Sequence, residues 1–248
     1  DNLPYYPISR FYRERFHSKV YKVSVAVAET CPNREGLKGM KVCNFCDQWG
    51  SAAYKGNLVK PLSQQIEEVR EVLRRKRGSE KFLVYFQAYT TTFARVSQLK
   101  EQFELALSYP DVVGLVVGTR PDCVSQSFLE TCDEISKRSF MAVELGVQTF
   151  NEDTLLWMRR GHTAMQSLKA IELIAKKCPD VNLGLHLILG NPGETDEELI
   201  ASARLINTLP VQNVKLHHMH VLKDTPLEDE FRRGDFIPVE REEYFRRA

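Results

Sequence analysis

Six apolar, β-branched runs alternate with amphipathic stretches along nearly all of this 248-residue chain, and that alternation restricts the fold more than any single motif. The runs cover 22–29, 82–87, 112–118, 140–147, 182–189 and 213–221. Each is close to continuously hydrophobic, as strands covered on both faces are. Between them, apolar residues recur at helical spacing: Ile66, Val69, Val72 and Leu73, then Leu129 and Ile135, then Leu168, Ile171 and Ile174. Another helix is predicted from Thr195, where Thr195-x-x-Glu198 forms a capping box and Leu199, Ile200, Ala203 and Ile206 follow on one side. Repeated strand–helix alternation predicts an α/β fold whose parallel strands are joined by right-handed crossovers. An open doubly wound sheet and a partial barrel both satisfy it. In either, function gathers in the loops after the strand C-termini.

Composition narrows the classes. With 43% hydrophobic residues the chain buries a substantial core, and its length suits one α/β barrel. Basic and acidic residues nearly cancel, 34 against 33, so no bulk field directs it to nucleic acid or to a membrane. Of the local basic runs, Arg74–Arg77 and Arg159-Arg160, the first reads as a solvated helix face. No apolar stretch approaches the roughly 18 to 20 residues of a membrane span, and no charged-then-apolar leader opens the chain. A cytoplasmic protein without membrane contact is expected. No repeat, low-complexity tract or long linker interrupts it, which predicts a helical extension over 1–21 and a single domain over 22–248. The missing initiator Met and the charged, helix-like run 240–247 are features of a piece cut from a longer protein.

The chemistry is signalled by Cys31, Cys43 and Cys46, in CPNREGLKGMKVCNFC directly after the first predicted strand. Six cysteines are too sparse here for a disulfide framework, and a clustered trio in a reducing compartment favours metal or catalysis. Cys123, Cys132 and Cys178 are scattered and read as buried thiols. Three thiolates on a four-iron cluster leave one iron open to a small molecule, which implies reaction, whereas a closed four-ligand site implies structure. The alternative is zinc completed by His17 or His162, although no histidine stands at close zinc-finger spacing.

At these residues the chain resembles the radical S-adenosylmethionine (SAM) superfamily. The usual Cys-x3-Cys-x2-Cys motif is stretched to an eleven-residue first gap, a form similar to the YhcC-like branch, whose radical domain is similar to that of the elongator catalytic subunit. The resemblance implies a partial (β/α)6 TIM-type barrel carrying a [4Fe–4S] cluster on Cys31, Cys43 and Cys46. It implies SAM chelating the open iron, reductive cleavage to a 5′-deoxyadenosyl radical, and hydrogen abstraction from a substrate, in an oxidoreductase or a transferase. A flavodoxin or ferredoxin is the implied electron donor. Phe45 resembles the aromatic residue beside the adenine.

Where the superfamily often has Gly-Gly-Glu, this chain has Gln87-Ala88-Tyr89-Thr90, so Gln87 or a backbone carbonyl stands in for the amino-group ligand. Thr119-Arg120-Pro121-Asp122 is similar to the elongator-type turn on the catalytic rim, although Pro and Asp also suit a purely structural turn. Gly146-Val147-Gln148, followed by Arg160, resembles the set of the oxygen-independent coproporphyrinogen oxidase type. There Gln contacts the ribose region and Arg pairs with the SAM carboxylate, a task its planar fork suits. Gly190-Asn191-Pro192-Gly193-Glu194 resembles the stretch beside the adenine, which implicates Gly190 and Glu194; helix-dipole stabilisation is the other reading of Glu194.

Glu144 is expected on the barrel-mouth side of its strand. On the last strand His218 and His220 share one face and His217 the other, and these histidines, with His186, read as hydrogen-bonding or substrate-facing groups rather than metal ligands. The segment Arg10–His17 reads as an amphipathic helix closing the barrel bottom, although its cations and rings also suit RNA. The function expected is thus a radical SAM enzyme whose substrate is unidentified, with RNA in view. The contrasting readings are a zinc-stapled RNA- or protein-binding adaptor and a cluster protein that only transfers electrons.

Overall fold

The computed structural model describes residues 4–50 and 58–248. Six strands form one sheet in chain order, β1 (Val20–Val25), β2 (Lys81–Phe86), β3 (Val112–Thr119), β4 (Phe140–Gln148), β5 (Asn182–Leu189) and β6 (Asn213–His218). All five neighbouring pairs are parallel, and the sheet curls into a half-barrel with β1 and β6 at its edges. Helices α2 (Leu62–Arg77), α3 (Val96–Leu107), α4 (Gln126–Ser136), α6 (Ala164–Lys177) and α7 (Asp196–Thr208) are the crossovers, with short α5 (Glu152–Trp157) ahead of α6. Helix α1 (Ile8–Phe16) precedes the sheet, and α8 (Pro226–Arg233) and α9 (Arg241–Arg247) follow it.

The two-residue period of the strands sorts their side chains into an outer and an inner set. Val23, Val25, Val84, Phe86, Leu115, Val117, Val143, Leu145, Leu183 and Leu185 face outward and join Ile66, Leu99, Phe103, Leu129, Ile135 and Ile171 of the helices in the main core. The inner face changes character along the barrel axis. At its N-terminal end Tyr12 and Phe16 of α1 pack edge-on against Phe140, with centroids 6.0 and 5.6 Å apart. Leu83, Val116 and Ala142 lie above this plug. Helix α1 therefore takes the barrel-closing place, with Tyr12 buried.

Two strands are shorter than the apolar runs that predict them. The run 22–29 leaves the sheet after Val25, because Gln65 of α2 takes over the next backbone groups: Ala26 N donates to Gln65 Oε1 at 2.8 Å, and Gln65 Nε2 donates to Ala26 O at 3.0 Å. At its start β1 reaches back to Val20, inside the segment read as helical extension. The run 213–221 pairs only to His218, since β5 ends at Leu189 and Met219 N makes the final bond to Leu189 O. On α7 the capping box forms, Glu198 N donating to Thr195 Oγ1 and Thr195 N to Glu198 Oε2, while Ile200 turns to solvent, away from buried Ile206.

Candidate active site

The loop after β1 carries the three cysteines to the C-terminal end of the barrel, where Cys31, Cys43 and Cys46 line one cavity of about 210 Å³. All three thiols are free. Buried side chains hold the loop in place. Asn33 Nδ2 donates to Lys41 O and to Arg159 O, both at 2.6 Å. Arg120 Nη1 donates to Asn33 Oδ1, its Nη2 to Arg160 O at 2.6 Å, and its fork takes Asp122 at 2.9 Å through two nitrogens. Arg120 and Asn33 are 4% and 2% exposed, so loss of either leaves buried polar groups unpaired. Between the paired cysteines, Asn44 Nδ2 donates to Trp157 O at 3.0 Å and the Asn44 backbone carbonyl accepts from Leu227 N. The Thr-Arg-Pro-Asp turn thus works as the bolt joining the cysteine loop to the 157–160 turn, and Arg120 also lines the cavity.

On the wall opposite the loop, β4 slips register against β5 between Leu145 and Gln148. Gly146 sits in that irregularity. A Cβ there would lie 2.9 Å from Gln148 Nε2 and 3.4 Å from Arg160 Nη2, so a side chain at this position would push the Gln148 amide aside. Gln148 adopts φ 70°, a conformation costly for a side-chain-bearing residue and found preferentially at ligand sites. Arg160, 6% exposed, donates from Nη2 to Gly146 O at 2.8 Å and from Nη1 toward Cys43 Sγ at 3.4 Å; its Nε has no partner. The guanidinium lies 6.0 Å from the centroid of Phe45. Gln87 lines the cavity at the end of β2, followed by Ala88 and Tyr89, two consecutive non-glycine residues with positive φ. Thr119 lines it too, its hydroxyl bonded to Thr92.

Of the sequence-predicted site residues, the structure thus brings together Cys31, Cys43, Cys46, Phe45, Gln87, Thr119, Gln148 and Arg160. Gly190 and Glu194 stand apart. The Glu194 carboxylate ties its own turn, accepting from Gly190 N at 2.8 Å and from Asn191 Nδ2 at 2.7 Å. Arg247 approaches it at 3.7 Å, and it borders a separate cavity behind β5 beside α7. His218 and His220 also lie outside, 3.3 Å apart through their Nδ1 atoms.

Several lining residues escaped the sequence reading. Thr90 is 1% exposed and its Oγ1 has no partner. Tyr85 and Lys215 enter the cavity beside Glu144, His186 and His217. Their signal was the polar residue placed inward within an apolar strand, a signal a surface position also gives. Glu144 accepts from Lys22 Nζ and from His186 Nε2 at 2.7 Å. Burial opposes its charge, but His186 and Lys22 hold the carboxyl well below the usual range. Burial pushes the Cys46 thiol up, with Cys43 adding to it, while Arg34 Nη2 at 3.7 Å pulls it down.

The family model "Radical SAM superfamily" matches residues 25–206, and "Radical_SAM C-terminal domain" matches residues 211–248. The chain belongs to the radical SAM superfamily. It is 32% identical to YhcC of Escherichia coli over 231 residues, covering 93% of this chain and 73% of that protein, in keeping with the YhcC-like branch. Over 134 residues it is 30% identical to the tRNA uridine(34) acetyltransferase of Methanocaldococcus jannaschii, covering 53% of this chain and 24% of that one. Its fold matches that of Methanocaldococcus infernus Elp3 with TM-score 0.66 at 21% identity, over 92% of this chain and 52% of Elp3. The chain thus spans about half the length of that solved structure.

The superfamily's cofactors are a [4Fe–4S] cluster and SAM, and the residues present fit both. Among the described residues no three His, Cys, Asp or Glu side chains close on one point as a single ion requires. Three free thiols line one cavity, and cysteine thiolates are the donors a [4Fe–4S] cluster takes. For SAM, the unpartnered Nε of Arg160 and Oγ1 of Thr90 are buried donors in the same cavity.

Proposed function

We propose that this protein is a radical SAM enzyme whose active site is the cavity at the barrel mouth. In this reading Cys31, Cys43 and Cys46 hold the [4Fe–4S] cluster, Arg160 and Gln148 hold SAM, and a substrate is held in the barrel interior. The observation that carries it is the opening of three free thiols and the Arg160 guanidinium into one cavity. When bound, cluster and SAM supply an electron and a primary-carbon radical able to take hydrogen from a substrate.

The chain's own residues bind, orient and exclude water. Arg160 lies next to Cys43 and presents a fork matched to a carboxylate. Phe45 offers a ring face at the rim, and Thr90 and Gln87 offer hydrogen-bonding groups at the end of β2. Asn33, Arg120 and Asn44 hold the cysteine loop against the 157–160 turn, so that thiols and guanidinium keep one spacing. The aromatic plug under the barrel denies water a path from below. Reaction type, whether oxidoreductase or transferase, and a flavodoxin or ferredoxin donor in the cytoplasm belong to this proposal. No helix among the described residues is long and apolar enough to cross a membrane.

RNA is the second reading of the substrate, supported by the likeness to a tRNA uridine(34) acetyltransferase. The Arg10–His17 segment lends it less than its composition promised, because Tyr12 and Phe16 are committed to the plug.

Anaerobic reconstitution tests the function. Expected are a brown protein with about four irons per chain and 5′-deoxyadenosine formed from SAM with dithionite. A colourless protein holding one zinc would favour the adaptor reading, and iron without SAM cleavage would favour electron transfer.

A further inference from the structure

Below the thiols, the barrel interior carries more positive than negative charge. Inward positions of five strands meet there: Lys22 of β1, Tyr85 of β2, Glu144 of β4, His186 of β5, and Lys215 and His217 of β6. Glu144 supplies the one carboxylate of the group, and it is taken by Lys22 and by His186 Nε2 at 2.7 Å. Its in-register neighbours are glycines, Gly118 on β3 and Gly184 on β5, so nothing larger crowds the carboxylate from the sides.

Lys215 is left over. Among the described residues it enters no ion pair, although it stands in register with His186 and reaches inward to 5.5 Å from the centroid of Tyr85. Lys22 approaches the same ring at 4.7 Å. Two ammonium groups therefore converge on one phenol ring with a single carboxylate between them. His217 Nε2 stands 3.3 Å from His186 Nδ1 beside them. Lys215 keeps part of its side chain in solvent, and partial desolvation on the inward side holds it below its ordinary value, with Lys22 adding like-charge repulsion against the pull of Glu144. His217 is pushed down to about 4, by burial first and then by His186 and Lys215. A second anion would relieve both.

We propose that this polar floor is the subsite for the anionic group of a small substrate, a carboxylate or a phosphate, with Lys215 as its charge partner and Lys22 and His217 at its flanks. The proposal rests on the cavity being the SAM-dependent site and adds the substrate class. Position supports it, because Lys215, His217, the three thiols and Arg160 line the same cavity. A molecule anchored on Lys215 would present its carbon body toward the SAM side. Depth argues for a small molecule over a polymer, since Glu144 is buried and His186 and His217 are half-buried, while Lys215 stands at the more open edge strand. Tyr85 adds a ring face already polarised by two cations.

The test is calorimetric titration of the anaerobically reconstituted protein with inorganic phosphate, with succinate and with a short single-stranded RNA, at fixed ionic strength. Iron content and SAM cleavage are measured on the same samples. Wild type is expected to bind phosphate, succinate or both, the stronger one naming the anion's source. Lys215→Met should weaken that binding roughly tenfold to a hundredfold, the loss of one contact to a charged group. Lys215→Arg should restore most of it, and Lys100→Met, in a surface ion pair with Glu134, should leave it unchanged. Iron content should stay constant throughout, which also shows that the variants fold. Equal binding by wild type and Lys215→Met would overturn the subsite. So would binding of the RNA alone, or of no probe, in protein that still cleaves SAM. Loss of SAM cleavage in wild type itself would instead strike the radical SAM reading beneath it.

Discussion

The two ends of this barrel are built on opposite principles. At the N-terminal end Tyr12, Phe16 and Phe140 form an apolar plug whose groups are satisfied by packing. At the C-terminal end satisfaction is incomplete. Seven buried side-chain atoms among the described residues lack a partner, and six of them, in Arg34, Asn44, Thr90, Arg160, His162 and Asn191, lie at the cysteine end. Positive φ in residues other than glycine concentrates there too, at Ala88, Tyr89, Gln148 and Arg159. Stability and function are thus separated along the barrel axis: one end is finished, and the other keeps strain and unspent hydrogen bonds for ligands.

That separation is open to direct attack. The largest effect is expected from Cys43→Ala, which should reduce iron loading to background and abolish 5′-deoxyadenosine formation. Its unfolding free energy in urea should shift by no more than about 1 kcal/mol. Phe140→Ala should do the reverse, costing about 3–5 kcal/mol through the cavity it leaves, with iron per folded chain unchanged. Should Phe140→Ala strip the iron while remaining folded, the two ends are not independent.

Arg160→Met sharpens the division within the upper end. Iron content should hold, while SAM affinity by calorimetry falls roughly tenfold to a hundredfold. SAM binding at the wild-type level would refute the carboxylate assignment.

The smallest effect concerns acid. His162 is buried, and its imidazole is held well below the ordinary range, by burial first and then by Arg160 and Arg120. Because the folded value lies below the unfolded one, the unfolded chain takes the proton first. The neutral imidazole therefore favours the fold fully above about pH 6.5, and that contribution drains away as pH falls. Between pH 6.5 and 5, His162→Gln should show an unfolding free energy that declines less than wild type, a difference on the order of 1 kcal/mol. Parallel curves would place the acid sensitivity elsewhere.

How much could be read in advance differs residue by residue. The six strands and the seat of the cysteines were legible because hydrophobic period is local, and a loop after β1 must emerge at the strand C-termini. Strand ends were less so: Val25 ends β1 because a distant helix supplies Gln65, a fact no six-residue window contains. Glu194 shows the converse. Its place in a motif implied a cofactor contact, yet its carboxylate is engaged by Gly190 N and Asn191 within its own turn. Arg120 was visible as a rim residue, but its use as a bolt depends on Asn33, 87 positions earlier.

By itself, the order of amino acids determined an α/β architecture, the position of a three-thiol loop and the superfamily to which both belong. Periodicity and short spacings carry that information, and they act over a few residues. Only the tertiary structure decided which inward side chains meet. Lys22 and Glu144 are 122 positions apart and Glu144 and His186 are 42 apart, yet curling the sheet points them at one another. The surplus charge at Lys215 arises from that closure, because an unpaired ammonium is defined by what surrounds it in space and has no signature along the chain.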